Sequence, residues 1–193
     1  MAQKPKSGQK PARRDALIDA AERRISAHGY GALRARDIAA DVGCALGTIY
    51  LAFADLDAVI EAVRERTLAR LEANAARAAN PGEKPLGALK ALARLYFGFA
   101  RDNPNLWRAL FEHRSKRDVC AEERLAPIFA LIQARLAALR PSMKPAERKL
   151  FAHALFGAVH GIVALGLDEE RWGVKIGDVA WQLDALIEAA ARA

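Results

Sequence analysis

The residues of this chain best placed to do specific chemistry lie in one stretch, 36–53, which reads RDIAADVGCALGTIYLAF. Ile38, Ala39 and Val42 recur at helical spacing. Gly43 follows, where a residue free to take positive φ lets the backbone reverse. Ile49, Tyr50 and Phe53 then begin a second helical period. Two short amphipathic helices about a Gly-containing turn form the pattern of a helix-turn-helix, whose second helix enters the DNA major groove. The chemistry would be hydrogen bonding and apolar contact to base edges, with cations on phosphate. The same pattern also fits an ordinary helical hairpin inside a bundle.

Those residues need neighbouring elements to position them. Upstream, 14–30 reads RDALIDAAERRISAHGY, with Leu17, Ile18, Ala21 and Ile25 on one face and His28-Gly29-Tyr30 ending it. Downstream, Asp55 is a natural N-cap for a long helix. The run 14–63 resembles the DNA-binding domain of the tetracycline-repressor (TetR) family of bacterial transcription regulators. The resemblance is carried by Ile18, Ala20, Ala21, Gly29, Tyr30, Ile38, Ala39, Gly43, Gly47, Thr48, Ile49, Tyr50 and Phe53. It spans about a quarter of the chain and is far more specific than a bare helix-turn-helix.

The resemblance makes 46–52 the recognition helix, yet its side chains are unusual for that role. Only Thr48 and Tyr50 can hydrogen-bond. The family usually has Ser at Ala45, a polar or basic residue at Leu46, often His at Leu51, and a phosphate-supporting Lys at Leu56. Leu33 and Arg34 replace a Thr and a Thr or Ser. Ala45 and Leu46 are of the kind that packs on thymine methyl groups. Arg34 and Arg36, opening the second helix, can reach phosphates or a guanine edge. The family position of Tyr50 implies phosphate contact. DNA contact is therefore expected from Arg34, Arg36, Ala45, Leu46, Thr48 and Tyr50; the alternative for Thr48 and Tyr50 is that they pack the turn.

Composition agrees. The 193 residues are 52% hydrophobic, enough for a substantial core in one or two domains. Ala, Leu and Arg dominate and strand-type alternation is nearly absent, so the expected fold is all-α with about nine helices. Net charge is +7 and uneven: residues 1–52 hold nine Lys/Arg against five Asp/Glu, the remaining 141 hold 21 against 18. A basic excess beside the hairpin suits counterion release from a phosphate backbone, although it also serves solubility. No apolar run approaches the roughly 18 residues that span a bilayer. The basic N-terminus lacks the apolar stretch of a secretory signal. Cys44 and Cys120 do not read as a disulfide framework, which suits a reduced, cytoplasmic protein.

Along the chain, residues 1–10 read as a disordered basic arm, and the basic tail from Lys4 to Arg14 either lies along or in the DNA minor groove or is simply solvated. Residues 11–55 form the DNA-binding domain, with helices near 11–28, 35–42 and 46–52. Residues 56–80 form a connecting helix, and Asn80-Pro81-Gly82 closes it. Residues 81–193 form a further helical domain. Its helices run from 85 to Asn103-Pro104, then a short one from Pro104, then about 119–139, 145–166 and 176–192, with a charged loop at 115–118 and a Gly/acidic loop containing Trp172.

The C-terminal part resembles the family less specifically. FARDNPNLWRALF at 99–111 looks like the junction of helices five and six in one ligand-domain subgroup. FGAVHGIVAL at 156–165 is similar to that subgroup's Trp…His-Gly motif, with Phe156 in place of Trp and His160-Gly161 retained. The family's domain encloses a small-molecule pocket, which implies that Tyr96, Phe99, Trp107, Phe111, Phe129, Phe156 and His160 line it; aromatics at this spacing also serve as plain core. The family pairs its last two helices into a two-fold dimer, here expected through Leu155, Val159, Ile162, Val179, Leu183 and Leu186. His153 and His160 share a helix face, but no Cys/Asp/Glu cluster accompanies them, so no metal and no cofactor are expected. Cys44 could act as an oxidation switch or as a small buried hydrophobe. No nucleophile–base pair, phosphate loop or paired carboxylates appear, and no catalytic residue is assigned. The sequence thus implies a homodimeric regulator that binds a palindromic operator in double-stranded DNA, is released by a small hydrophobic inducer, and does not enter a membrane. The alternative is a ligand-binding or protein-interaction module on the same scaffold with weakened operator binding.

Overall fold

The structure, a computed structural model, describes residues 9–78, 82–115 and 121–192. Most of the basic arm, Asn80-Pro81, most of the 115–118 loop and Cys120 therefore lie outside the described residues. Within them the chain is all-α, with no strand. The helices are α1 (Gln9–His28), α2 (Ala35–Val42), α3 (Gly47–Ala52), α4 (Leu56–Ala78), α5 (Pro85–Asp102), α6 (Pro104–Phe111), α7 (Ala121–Arg124), α8 (Ala126–Leu139), α9 (Pro145–Gly166), α10 (Glu169–Trp172) and α11 (Val179–Arg192), with 3₁₀ turns at Tyr30–Ala32 and Ile176–Asp178.

Most helices start and stop where their punctuation places them. Asp55 Oδ1 accepts the Ala58 N–H at 2.8 Å and caps α4. Pro104 opens α6 and Pro145 opens α9, where a missing N–H costs nothing. The helix expected over 119–139 is instead broken at Leu125 into α7 and α8. Pro127 sits in the first turn of α8 and offers no N–H to a carbonyl of the preceding turn, so the ladder cannot run through it. The Gly/acidic loop after α9 contains the short α10, closed by Gly173 at φ 67°.

The chain gathers into two compact units, 1–68 with 103–118 and 69–102 with 119–193. Segment 103–118, which includes α6, is thus grouped with the N-terminal helices. In the first unit Leu17, Ile25, Ile38, Ile49, Val59 and Val63 are fully buried. Polar ties fix the helices around that core. Arg24 donates from Nε and Nη2 to the two carboxylate oxygens of Asp41 at 2.6 and 2.7 Å, joining α1 to α2 and holding the Asp41 carboxyl below its ordinary pKa. Arg66 of α4 hydrogen-bonds Asp19 of α1. Buried Arg64 donates to the Leu110 carbonyl at 3.0 Å, tying α4 to α6.

The second unit is a layer of α5, α8, α9 and α11 packed on one another. Leu136, Val163, Val179, Leu183 and Ile187 form the heart of its core. Arg94 and Lys90 of α5 pair with Asp184 and Glu188 of α11 along the rim. α9 is long and apolar enough, by length and composition, to cross a bilayer, which corrects the expectation that no run approaches that length. Ala152, Leu155, Val159 and Val163 of this helix are buried in the unit's core, and a core helix of a bundle meets the same test of length and composition.

α9 and α11 pack tightly at Gly166, where a Cβ would clash with Val179 Cγ2. Val is stiff at χ1 and cannot swing aside freely. Gly166→Ala is expected to destabilise the fold by about 1–3 kcal/mol in urea unfolding. Adding Val179→Ala, which removes the clashing methyl, should give a double variant less destabilised than the two single effects summed; simple additivity would refute the close-packing account.

Candidate nucleic-acid interface

The interface is built from α2, the turn after it, and α3. α2 ends at Gly43, which takes the left-handed conformation (φ 67°, ψ 41°) open to glycine at little cost. The Cys44 N–H then returns to the Ala39 carbonyl at 2.9 Å, so the chain leaves α2 at a fixed angle. α3 is only six residues long and has no side-chain cap. Its first accepted bond is from the Thr48 N–H to the Ala45 carbonyl, 2.9 Å.

α3 is held by its inner side, where Ile49 and Phe53 are buried. Its outer side is exposed: Leu46 at 46%, Tyr50 at 54% and Leu51 at 90%. Ala45 and Gly47 are also exposed and Thr48 is half-buried. Of the two expected cations, Arg36 is the available one, its side chain 80% exposed and its Nε 3.9 Å from Asp37. Arg34 is exposed but folded back, donating to the Gly31 and Leu33 carbonyls at 3.0 and 2.8 Å. Leu33 is buried and belongs to the core, whereas Leu56 is half-buried. Leu51, the most exposed large side chain here, is absent from the expected contact set. Helical period places it beside Gly47 and Tyr50, a signal present in the sequence. Arg14, at the end of the expected basic tail, places its guanidinium over the Phe53 ring, 4.6 Å from the centroid.

A second polar constellation ties the start of α4 to the chain after α6 within the first unit. Asp57 accepts from Ser115 Oγ at 2.6 Å and lies 2.8 Å from His113 Nε2. The Tyr30 ring packs edge-on to His113, with centroids 5.2 Å apart. Burial raises the Asp57 pKa, but the bonds from Ser115 and His113 outweigh it and leave the group below its ordinary value.

The expected pocket residues divide. Tyr96, Phe129, Phe156 and His160 come together in the second unit. Tyr96 Oη is 2.7 Å from His160 Nδ1, and Phe156 lies 5.8 Å from Tyr96 and 5.4 Å from Phe129, centroid to centroid. Phe129 also stacks on His153 at 4.2 Å. Phe99 is half-buried on α5. Trp107 and Phe111 belong to the first unit, where their rings pack on each other at 5.5 Å. Of the expected dimer residues, Leu155, Val159, Val179 and Leu183 are buried in this chain's own core, and Ile162 and Leu186 are half-exposed. The exposed apolar groups of α9 and α11 are Leu150 and Trp181, each 72% exposed, with Ala154 and Ala158. Among the described residues no group of three or more His, Cys, Asp or Glu is arranged to hold a metal ion.

A turn-linked helix pair on a three-helix base, followed by a helical layer, defines a DNA-binding regulator of the helix-turn-helix class. The chain belongs to the TetR family: residues 17–63 match the model for bacterial regulatory proteins of the tetR family, and residues 89–190 match that for a tetracyclin repressor-like C-terminal domain. It is a TetR-family transcriptional regulator. Its fold is similar to that of a tetR-family transcriptional regulator from Streptomyces coelicolor (TM-score 0.71, 22% identity, 94% of this chain and 80% of that one). It is also similar to SmeT, the repressor of the Stenotrophomonas maltophilia multidrug efflux pump SmeDEF (0.67, 20%, 91% and 89%), and to the fatty acid degradation regulator FadR from Bacillus halodurans (0.64, 22%, 98% and 95%). No curated protein is matched.

Two outcomes follow from this geometry. The N-cap of α3 is Leu46, itself in helical conformation, and the Ala45 carbonyl accepts the Thr48 N–H. Ala45→Ser therefore places a hydroxyl beside this uncapped end and should stabilise the protein by about 0.5–1 kcal/mol in chemical denaturation; no gain would mean the turn cannot present a hydroxyl to the helix start. Burial lowers the His160 pKa, so the folded state binds a proton there more weakly than the unfolded state. This group leaves stability unchanged well above the unfolded value of about 6.5 and reduces it as pH falls through that value. His160→Gln should therefore flatten the loss of stability between roughly pH 7 and 5; an unchanged pH profile would assign that loss elsewhere.

Proposed function

We propose that this regulator is a cytoplasmic, homodimeric repressor released from its operator by a small hydrophobic ligand. The observation that carries the DNA-binding half is α3, docked by Ile49 and Phe53 and outward-facing through Leu46, Tyr50 and Leu51, with exposed Arg36 at the start of α2. Thr48 and Tyr50 supply its hydroxyls, Tyr50 on phosphate; Arg34 must unfold from its backbone carbonyls to join them. Repression and drug- or lipid-like ligands are suggested by what is said of SmeT and FadR. The aromatic cluster of Tyr96, Phe129 and Phe156, with one polar pair in Tyr96–His160, suits an apolar ligand oriented by a single hydrogen bond. Ligand would act by differential affinity for the operator-competent and incompetent arrangements. α4, which begins beside α3 in the chain and ends in the second unit, is the element to carry that coupling.

Dimerisation through α9 and α11 is supported by the exposed apolar groups of those helices, Leu150, Ala154, Ala158 and Trp181, with half-exposed Ile162 and Leu186 beside them. Two recognition helices would then meet successive major grooves about 34–36 Å apart on a palindromic site. A second reading, a ligand-binding or protein-interaction module with weakened operator binding, is favoured by the lack of any charged residue on α3.

Binding to DNA upstream of its own gene decides between these readings. The repressor reading expects tight binding that weakens steeply with salt. Arg36→Ala should cost about 1–3 kcal/mol and relax specificity at one position if it reads a base, or lower the salt slope by about 1 if it contacts phosphate. An Arg36→Ala protein indistinguishable from wild type in both respects would remove Arg36 from the interface. Light scattering should return about twice the 21.0 kDa chain mass, and Trp181→Arg should shift the equilibrium toward monomer; a wild-type monomer at micromolar concentration would end the dimer reading.

A further inference from the structure

We infer that this regulator reads its half-site chiefly through the C5-methyl groups of thymines, gripped by the Leu46, Gly47, Tyr50 and Leu51 face of α3. The inference rests on the operator-binding reading above and names what that reading leaves open, the chemistry of the bases recognised.

The spacing 46, 47, 50, 51 is one face of a helix, with steps of three and four between its rows. The opposite side of α3 is committed to the core through Ile49 and Phe53. The face that remains therefore points away from the unit, and it is apolar: two leucines, a glycine and a tyrosine ring, with Ala45 exposed beside it. Leu51 is 90% exposed and lies beside exposed Leu46 and Tyr50, so the three form an apolar patch of the kind that marks an interaction surface. Charge selects the occupant. Arg36 stands exposed at the start of the adjoining α2, Arg13, Arg14 and Arg23 are exposed on α1, and the basic excess of the chain is concentrated in residues 1–52. An apolar protein partner would leave these cations unmatched, whereas DNA answers both features, phosphates for the arginines and methyl groups for the leucines.

The major groove presents one apolar group, the methyl on C5 of thymine. Neither Leu46 nor Leu51 can form a hydrogen bond to a base edge, so methyl contact is the readout open to them. Gly47 lies between the two leucine rows, and a Cβ there would meet nothing of this chain within 4 Å. Its lack of a side chain lets the helix sit close to the groove floor, where short leucine side chains reach the methyl groups.

The experiment uses the full-length protein and half-sites selected from random duplex DNA. Each thymine of the selected site is replaced in turn by uracil, which removes the methyl and keeps every hydrogen-bonding group. At one or more positions per half-site, uracil should weaken binding about 3–5-fold, the weight of one buried methyl. At such a position 5-methylcytosine should bind better than cytosine, because the two pair identically and differ only in the C5 methyl. Leu51→Ala, exposed and so neutral to folding by circular dichroism, should bring the thymine-to-uracil ratio toward one at one position while leaving the salt slope unchanged. Selective binding with thymine and uracil equivalent everywhere would overturn methyl readout and leave the operator-binding reading intact. Selection that yields no preferred sequence would overturn both.

Discussion

A helix of six residues has no independent stability in water, because the cost of nucleating it is not recovered over so few hydrogen bonds. α3 exists because Ile49 and Phe53 are buried beneath it, and everything it could present to DNA depends on that anchorage. Gly43 sets the angle at which the anchor is approached, since its left-handed backbone fixes the exit from α2. The bidentate Arg24–Asp41 pair then holds α2 on α1 from the rim. An unusual outer surface on α3 is compatible with a sound fold for the same reason: the inner surface alone determines whether the helix forms.

The second unit obeys a different constraint, close approach between helices. Gly166 lets α9 meet Val179 at the start of α11, and the core closes around Leu136, Val163, Leu183 and Ile187. Within that layer the aromatic cluster includes a polar pair, Tyr96 with His160. Neutral His160 suits this partly buried site, and its lowered pKa is the same fact stated as proton affinity. The same rings pack between α5, α8 and α9 as part of the layer's core.

The helix-turn-helix was legible because its signals are local. Helical spacing of Ile38, Ala39 and Val42, the turn at Gly43 and the cap at Asp55 each concern a few consecutive residues, and the structure gives α2 as Ala35–Val42 and caps α4 through Asp55. The break between α7 and α8 was also written locally, in Pro127, but the apolar periodicity running across it is the louder pattern. The exposure of Leu51 required only that the helical period be carried one residue further round α3.

What the sequence by itself determined is therefore the class of fold, the place of the reading hairpin and the ends of most helices, because spacing, caps and prolines act within a turn or two of the chain. Which apolar residues face inward was decided only by tertiary structure. Leu155, Val159, Val179 and Leu183 have the same periodic signature as Leu150, Ile162, Trp181 and Leu186, yet the first set is buried in this chain's own core and the second is wholly or partly exposed. Likewise the sequence offers Arg34 and Arg36 as equivalent cations, while the fold ties Arg34 to its own backbone and leaves Arg36 exposed. Helical periodicity identifies a face but not its neighbour, and partners distant in sequence settle which face is covered.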